Sequence, residues 1–312
     1  MVKKRILVTG GTGMVGSRFN YSSTEYEFIL VGSRDYDLTN PTDTQSMIRD
    51  TTPSAIIHLA AHVGGVKGNT DYVADFYRDN TLINTNVLTS AAKHKVEKVV
   101  SLLSTCVYPD NASYPLTPEQ FHTGPPHKSN FGYAYSKRML DVYSRALRQQ
   151  YGCNFICAVP NNLYGISDNF DLENGHVIPA IIRKVHTAMR THTVPTFWGD
   201  GSALREFTFA SDISKILLFL VENYNSDAPI NIGMTEERSI KSVVATICSY
   251  MGYNGDVKWD TSKPTGQLRK PSCNKPLLEL GWKSKDYTSF ESGIKQTCVW
   301  YKENYPKIRG IK

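Results

Sequence analysis

The sequence predicts an α/β fold: a doubly wound parallel sheet with a smaller C-terminal α/β domain. Three observations predict it. Short apolar, β-branched runs alternate with helix-length amphipathic runs through the first half of the chain, the pattern of parallel strands joined by crossover helices. A glycine repeat follows the first apolar run at once. Chemically capable side chains then recur just past the ends of later apolar runs, where sheets of this kind hold their ligands.

The first strand is Arg5-Ile6-Leu7-Val8-Thr9, and Gly10-Gly11-Thr12-Gly13-Met14-Val15-Gly16 follows it. The residues after Gly16 are expected to open a helix. Gly10 serves the turn, Gly13 the approach of a pyrophosphate and Gly16 the packing of helix on strand, with Met14 and Val15 in the same loop. That arrangement holds a dinucleotide. The second strand, 28–31, ends in Gly32-Ser33-Arg34-Asp35. An acid at this strand end would hold the ribose 2′-hydroxyl of NAD. Ser33 and Arg34 instead suit the 2′-phosphate, so NADP(H) is the expected cofactor, with Asp35 as the acid of the competing reading. Asp37 and Leu38 fall where such folds touch the adenine, although an Asp in a loop is also a turn former.

Residues 55–61 read as a strand running into His62-Val63-Gly64-Gly65, and small Ala60 and Ala61 would let a cofactor lie against backbone. Residues 79–94 read as a helix with Leu82, Ile83, Val87, Leu88 and Ala91 on one face. The strand at 98–103 ends at Ser104-Thr105-Cys106, a long helix spans 133–151, and the strand at 155–159 leads into Pro160-Asn161-Asn162-Leu163-Tyr164-Gly165. Beyond about 166 the pattern loosens. Helices are expected at 179–189, 212–224 and 240–251, strands at 194–198 and 257–259, a strand at 229–233 returning to the first sheet, and a basic loop at 263–275. Residues 1–165 with about 207–234 would form the dinucleotide-binding domain, and 166–206 with 235–312 the substrate-binding domain.

Tyr133 and Lys137 stand one helical turn apart on one face. The cation is expected to favour the phenolate, so that a phenol with a free pKa of about 10 exchanges protons near neutrality. That is the proton donor a carbonyl reduction needs. Cys106 points to a second chemistry, since reducing a ketone needs no thiol.

Composition excludes several other classes. The chain has 312 residues, 40% hydrophobic and 21% charged, enough for a large globular core. Its six cysteines include no Cys-x-x-Cys pair, so neither a zinc ribbon nor a redox pair is suggested, no metal site is expected, and a reduced, cytoplasmic setting is the simplest view. No run of eighteen apolar residues occurs, so no membrane span is expected. The net charge of +6 is mild and scattered apart from Lys3-Lys4-Arg5. Nucleic acid is not an expected partner; anionic small ligands account for the excess.

These residues resemble the extended short-chain dehydrogenase/reductases of Rossmann type, and within them the GDP-sugar 3,5-epimerase/4-reductases. The resemblance runs over nearly the whole chain. It is most specific at Ser104-Thr105-Cys106-Val107-Tyr108-Pro109 and His176-Val177-Ile178-Pro179-Ala180, with Val63-Gly64-Gly65, Asn162-Leu163-Tyr164-Gly165, Asp168-Asn169-Phe170, Trp198-Gly199 and Arg205-Glu206-Phe207 alongside. The resemblance implies that Ser104, Tyr133 and Lys137 are a reductase triad. Cys106 and His176 would be the acid/base pair of epimerisation, Cys106 as base and His176 as acid. Asn162, Leu163 and His176 would lie beside the nicotinamide. Arg205, Lys184 and Trp198 would bind the nucleotide sugar, Arg205 at its diphosphate. It also implies a homodimer paired through the helices at 79–94 and 133–151. The expected reaction converts GDP-4-keto-6-deoxy-D-mannose to GDP-L-fucose; a plain 4-reductase or 4-epimerase is the alternative.

Blander readings stand beside these. Arg205 has Glu206 and Asp212 as possible ion-pair partners, and Arg269 and Lys270 belong either to a phosphate site or to a solvated loop. The chain departs from the family pattern at Ile166-Ser167, which lacks a proline, and at Ser272-Cys273-Asn274, where relatives tend to have Leu-Asp-Val. His62 has no sequence-level account.

Overall fold

The computed structural model describes residues 3–263 and 268–311, so residues 264–267 of the expected basic loop, like residues 1, 2 and 312, lie outside it. The chain runs through β1 (Lys4–Thr9), β2 (Tyr26–Val31), α1 (Pro41–Thr51), β3 (Ala55–His58), α2 (Val66–Asp71), α3 (Val73–Lys93), β4 (Lys98–Leu102), α4 (Phe131–Tyr151) and β5 (Phe155–Pro160). It continues with β6 (Asn162–Tyr164), α5 (Val177–Thr191), β7 (Thr196–Trp198), β8 (Leu204–Phe209), α6 (Ala210–Asn223), β9 (Ile230–Ile232), β10 (Glu237–Ser239), α7 (Ile240–Met251), β11 (Lys258–Asp260), α8 (Lys275–Glu279) and α9 (Phe290–Asn304).

The main sheet has the order β2-β1-β3-β4-β5-β9, with every pair parallel. Side chains alternate across a strand, so its residues feed two cores. Leu7, Ile56, Val99 and Phe155 pack with Met47 of α1, Val87 and Leu88 of α3 and Leu140 and Leu147 of α4. Ile6, Val8, Ile57, Val100 and Ile156 face the other way, onto Ile213, Ile216, Leu217 and Leu220 of α6. Both faces are covered, as a parallel sheet requires. A third core gathers Ile181, Ile182 and Val185 of α5, Val243 and Ile247 of α7, and Ile294, Cys298 and Tyr301 of α9 around Tyr164, Phe207 and Phe209. Those aromatics stand on a small sheet of order β10-β8-β6, and β7 pairs with β11 in another. The doubly wound α/β class is therefore the observed one, and the 229–233 segment does return to the main sheet, as β9 beside β5.

One expectation fails. Gly16 does not open an α-helix; Gly16–Phe19 makes a 3-10 turn, and β2 begins at Tyr26. The intervening stretch contains Asn20, Ser22, Ser23 and Thr24, which compete with the helix by bonding backbone locally. Ser23 Oγ indeed accepts from the backbone N–H of Glu25 and of Tyr26, at 3.2 Å each. An aromatic group packs there: Phe19, Tyr21 and Tyr26 have ring centroids 5.4, 5.0 and 5.9 Å from that of Phe28. α1, α2, α8, α9, β6, β8 and β10 are elements the sequence patterns did not single out, α1 and α9 being the two long helices among them. The caps of the two helices are nevertheless ordinary. Asn40 Oδ1 accepts from Thr42 N–H at 2.8 Å, and Ser289 Oγ from Ser292 N–H at 3.3 Å.

Candidate active site

A cleft of about 630 Å³ runs along the carboxyl ends of β1, β2 and β3. This is the switch point of the sheet, where the order reverses about β1. Gly10, Gly13, Met14, Val15 and Gly16 line it, with Ser33, Asp37, Leu38, Ala60, Ala61 and His176. The glycines are required sterically. Gly10 has φ +68°, and a Cβ there would stand 2.9 Å from the Ala60 nitrogen. At Gly16 it would stand 2.3 Å from the Gly10 carbonyl oxygen. The loop thus leaves bare backbone facing the cleft, the cradle a pyrophosphate needs. Asp35 turns its carboxylate back onto the loop, accepting from Gly32 N–H at 2.7 Å. Arg34 is exposed and is not one of the lining residues.

Ser104, Cys106, Tyr133 and Lys137 gather beyond this cleft. Ser104 follows β4 and caps the 3-10 turn Thr105–Val107, accepting from Cys106 N–H at 3.4 Å; its hydroxyl also bonds the Cys106 sulfur. Lys137 donates to the Leu102 carbonyl at 2.8 Å. Leu102 is itself on the cleft wall, so the cluster abuts the groove. The Lys137 ammonium lies 5.8 Å from the Tyr133 ring centre. Burial lowers Lys137 to about 8. Burial, with Cys106 adding, raises the Tyr133 phenol, against the sequence expectation. The reason is desolvation: Lys137 is buried, its own charge is weakened, and its ammonium is committed to Leu102. Tyr133 therefore keeps its proton through neutral pH, as a donor must. Burial likewise raises the Cys106 thiol, while Ser104, Lys270 and Lys137 pull it back down.

His176 is the N-cap residue of α5 and lines the cleft. Desolvation, then Arg309, lowers its imidazole below the ordinary value. Asn162 and Leu163 lie on β6, outside the cleft lining. Asn162 Nδ2 donates to the Glu206 carbonyl at 2.8 Å, tying β6 to β8. Lys184 donates to the Thr196 carbonyl at 2.9 Å and sits 5.7 and 6.0 Å from the rings of Phe197 and Trp198. Trp198 is 65% exposed, free to stack on a ligand. Arg205 has neither expected ion-pair partner. Glu206 accepts from Ser272 and Asn161, and Asp212 accepts from Thr288. The guanidinium donates to the Leu204 carbonyl at 2.7 Å.

The structure also resolves residues left open by the sequence. Lys270 is largely desolvated and feels both Cys106 and Arg205, which puts it on the thiol side of the site. Arg269 instead pairs with Glu237. Ser272 and Asn274 bond Glu206 and the Gly233 carbonyl. His62 lines the cleft, stacks on Phe76 at 4.3 Å and meets Asp79 at 3.0 Å. Asp168, part of the Asp168-Asn169-Phe170 stretch but given no role by the resemblance, and Arg309, for which the sequence gives no signal, line the cleft from the C-terminal half. Among the described residues no cluster of three or more His, Cys, Asp or Glu could hold a metal ion. No helix among them is long and apolar enough to cross a membrane.

Fold and cleft define a dinucleotide-dependent α/β enzyme, and the chain belongs to the NAD dependent epimerase/dehydratase family, which residues 6–233 match. It is similar to a GDP-L-fucose synthase of Dictyostelium discoideum, 39% identical over 98% of each chain. It is also similar to a GDP-L-fucose synthase of Sinorhizobium fredii, 38% identical over 96% of each. A crystal structure of a GDP-L-fucose synthetase from Naegleria fowleri bound to NADP superposes with a TM-score of 0.92 at 37% identity, covering 99% of this chain and 97% of that one.

Proposed function

We propose that this enzyme converts GDP-4-keto-6-deoxy-D-mannose to GDP-L-fucose, inverting C3 and C5 and then reducing C4 with NADPH. The observation that carries the reading is the thiol. Cys106 stands among Ser104, Tyr133, Lys137 and Lys270, and a 4-reductase alone has no work for it.

The chemistry follows from acidity. In a 4-keto sugar the protons at C3 and C5 are both α to the carbonyl. Cys106, as thiolate, removes one; Lys137 and Lys270 favour that thiolate against burial. Ser104 and Tyr133 donate to the enolate oxygen. His176, as imidazolium, returns a proton to the opposite face, and inversion results. NADPH, when bound, supplies hydride to C4. Tyr133 then protonates the new alkoxide. Reduction must come last, since it removes the carbonyl that acidifies C3 and C5. The glycine cradle, Ser33 at the cleft wall and exposed Arg34 next to it in the chain fit a 2′-phosphorylated dinucleotide. Arg205, Lys184 and Trp198 would take the GDP moiety, with Lys270 beside Arg205 at the diphosphate.

The rest of the organisation follows the same reading. The main sheet would serve the dinucleotide and the C-terminal core the sugar nucleotide, with the division near residue 165 and again near 207 and 234. Exposed Tyr77 and Leu82 on α3 and Met139 and Val142 on α4 support a homodimer across these helices. All six cysteines are unpaired, which supports a cytoplasmic setting.

The test is NMR of the product formed from GDP-4-keto-6-deoxy-D-mannose and NADPH in D₂O. GDP-L-fucose deuterated at C3 and C5 is expected. A C4-reduced product without deuterium would make Cys106 and His176 structural residues.

A further inference from the structure

Two inversions by one thiol and one imidazole raise a proton-supply problem. After the first, Cys106 carries a proton and His176 has lost one. The second cannot follow until both are reset.

The wall beside His176 carries a carboxyl that the mechanism has not used. Asp168 is 4% exposed and lines the cleft with His176 and Arg309. Its Oδ1 accepts from Asn169 N–H at 2.7 Å, while Oδ2 is buried and has no hydrogen-bond partner among the described residues. A lone buried carboxyl oxygen is costly unless something occupies it. Arg309 does not satisfy it: the guanidinium is near enough to act on Asp168 and His176 through its charge, yet makes no ion pair with Asp168. The segment carrying Arg309 is fixed by its main chain. Phe170 N–H donates to the Arg309 carbonyl at 3.0 Å, and Arg183 donates to the Gly310 carbonyl at 2.7 Å. The other charged or titratable groups around this wall are Asp171 and Arg183 behind the loop and His62 and Asp79 across the cleft.

We propose that Asp168 is a proton-relay residue that reprotonates His176 between the two inversions. The proposal rests on the epimerase reading above. In the relay the Asp168 O–H bond breaks and an N–H bond forms on His176, through water in the cleft. The carboxylate left behind lies beside the Arg309 guanidinium and regains a proton from water, while the Cys106 proton passes to water. Burial raises Asp168 to about 7 against the pull of Asn169 and Arg309, and His176 is lowered. At neutral pH the carboxyl can therefore hold the proton that a neutral imidazole needs.

The experiment is single-turnover exchange in D₂O, following deuterium at C3 and C5 separately by NMR from pH 5.5 to 8.5, without NADPH. In the wild-type enzyme the second exchange should slow as pH rises through about 7. Asp168→Asn, which can keep the Asn169 bond, should slow the second exchange about ten-fold relative to the first and flatten that pH dependence. Arg309→Gln leaves the main-chain anchors intact and removes the charge that lowers Asp168, so it should move the midpoint to higher pH. Equal rates and an unchanged profile in Asp168→Asn would overturn the proposal. If that variant does not fold, an unmoved midpoint in Arg309→Gln would overturn it. Absence of any exchange in the wild-type enzyme would refute the epimerase reading itself, and the relay with it.

Discussion

At the scale of single residues, desolvation competes with charge. Tyr133 shows burial outweighing a nearby cation, and Cys106 shows burial partly offset by Lys270, Lys137 and the Ser104 hydroxyl. Replacing the thiol by a weaker acid should therefore act on one step. Cys106→Ser is expected to slow solvent deuterium exchange at C3 and C5 by about 100-fold or more, with NADPH affinity by fluorescence titration unchanged. Exchange at the wild-type rate would remove Cys106 from the chemistry. His58 shows burial without catalysis. It is 1% exposed and bridges Thr9 (2.8 Å) and Asn84 (3.1 Å), and burial with Lys137 lowers it to about 3. Its unfolded value is about 6.5. Between these values the unfolded chain binds a proton that the folded one refuses, so stability is full above pH 6.5 and falls as pH drops toward 3. The slope is about 1.4 kcal/mol per pH unit at most. Urea melts at pH 7 and 5 should show it, and His58→Asn, which cannot titrate, should flatten the difference.

At the scale of elements, local signals and close packing part company. β1, α3, α4 and β5 were legible because each carries an unbroken apolar period against a covered sheet. The helix after Gly16 was not: the glycine repeat implied it, while Asn20 and the serines beyond turned the chain into a tight connection. β6 and β10 were hidden because they exist only through pairing with β8, itself not singled out by the sequence. The glycine loop survives the loss of its helix because its constraint is backbone contact. Gly16→Ala must displace the Gly10 carbonyl, 2.3 Å from the new Cβ. NADPH affinity should fall by about ten-fold or more. Calorimetric titration at wild-type affinity would show that the loop yields freely. The exposed apolar residues of α3 and α4 give a second element-level test. For the homodimer proposed above, Val142→Asp should give a monomer in sedimentation velocity, since burying an unpaired carboxylate costs more than one contact returns; an unchanged sedimentation coefficient would place the contact elsewhere.

At the scale of the whole molecule, the cleft is made by two distant parts of the chain. Gly10 to Gly16, Ser33 and Ala60 come from the main sheet; Asp168, Asn174, His176 and Arg309 come from the C-terminal half. They meet where Gly65 N–H donates to the Asn174 carbonyl at 3.0 Å. The cluster of Ser104, Cys106, Tyr133 and Lys137 was legible because each sits in a local motif. Arg309 was not, and Asp168 showed only as part of a resembling stretch without a role, because their meaning lies in contacts more than a hundred residues apart, such as Phe170 to Arg309, which no periodicity encodes. A cofactor filling such a cleft must stabilise both halves together. NADPH at about 100 times its Kd should add about 2.7 kcal/mol, read as a rise in Tm. Hydrogen exchange should then slow both in the glycine loop and in residues 168–176 and 305–311. The second region decides the matter: protection confined to the glycine loop would mean that the C-terminal wall does not close on the cofactor. Arg34→Ala should reduce the increment with NADPH and leave that with NADH unchanged, because only NADPH carries the 2′-phosphate that a guanidinium would pair with.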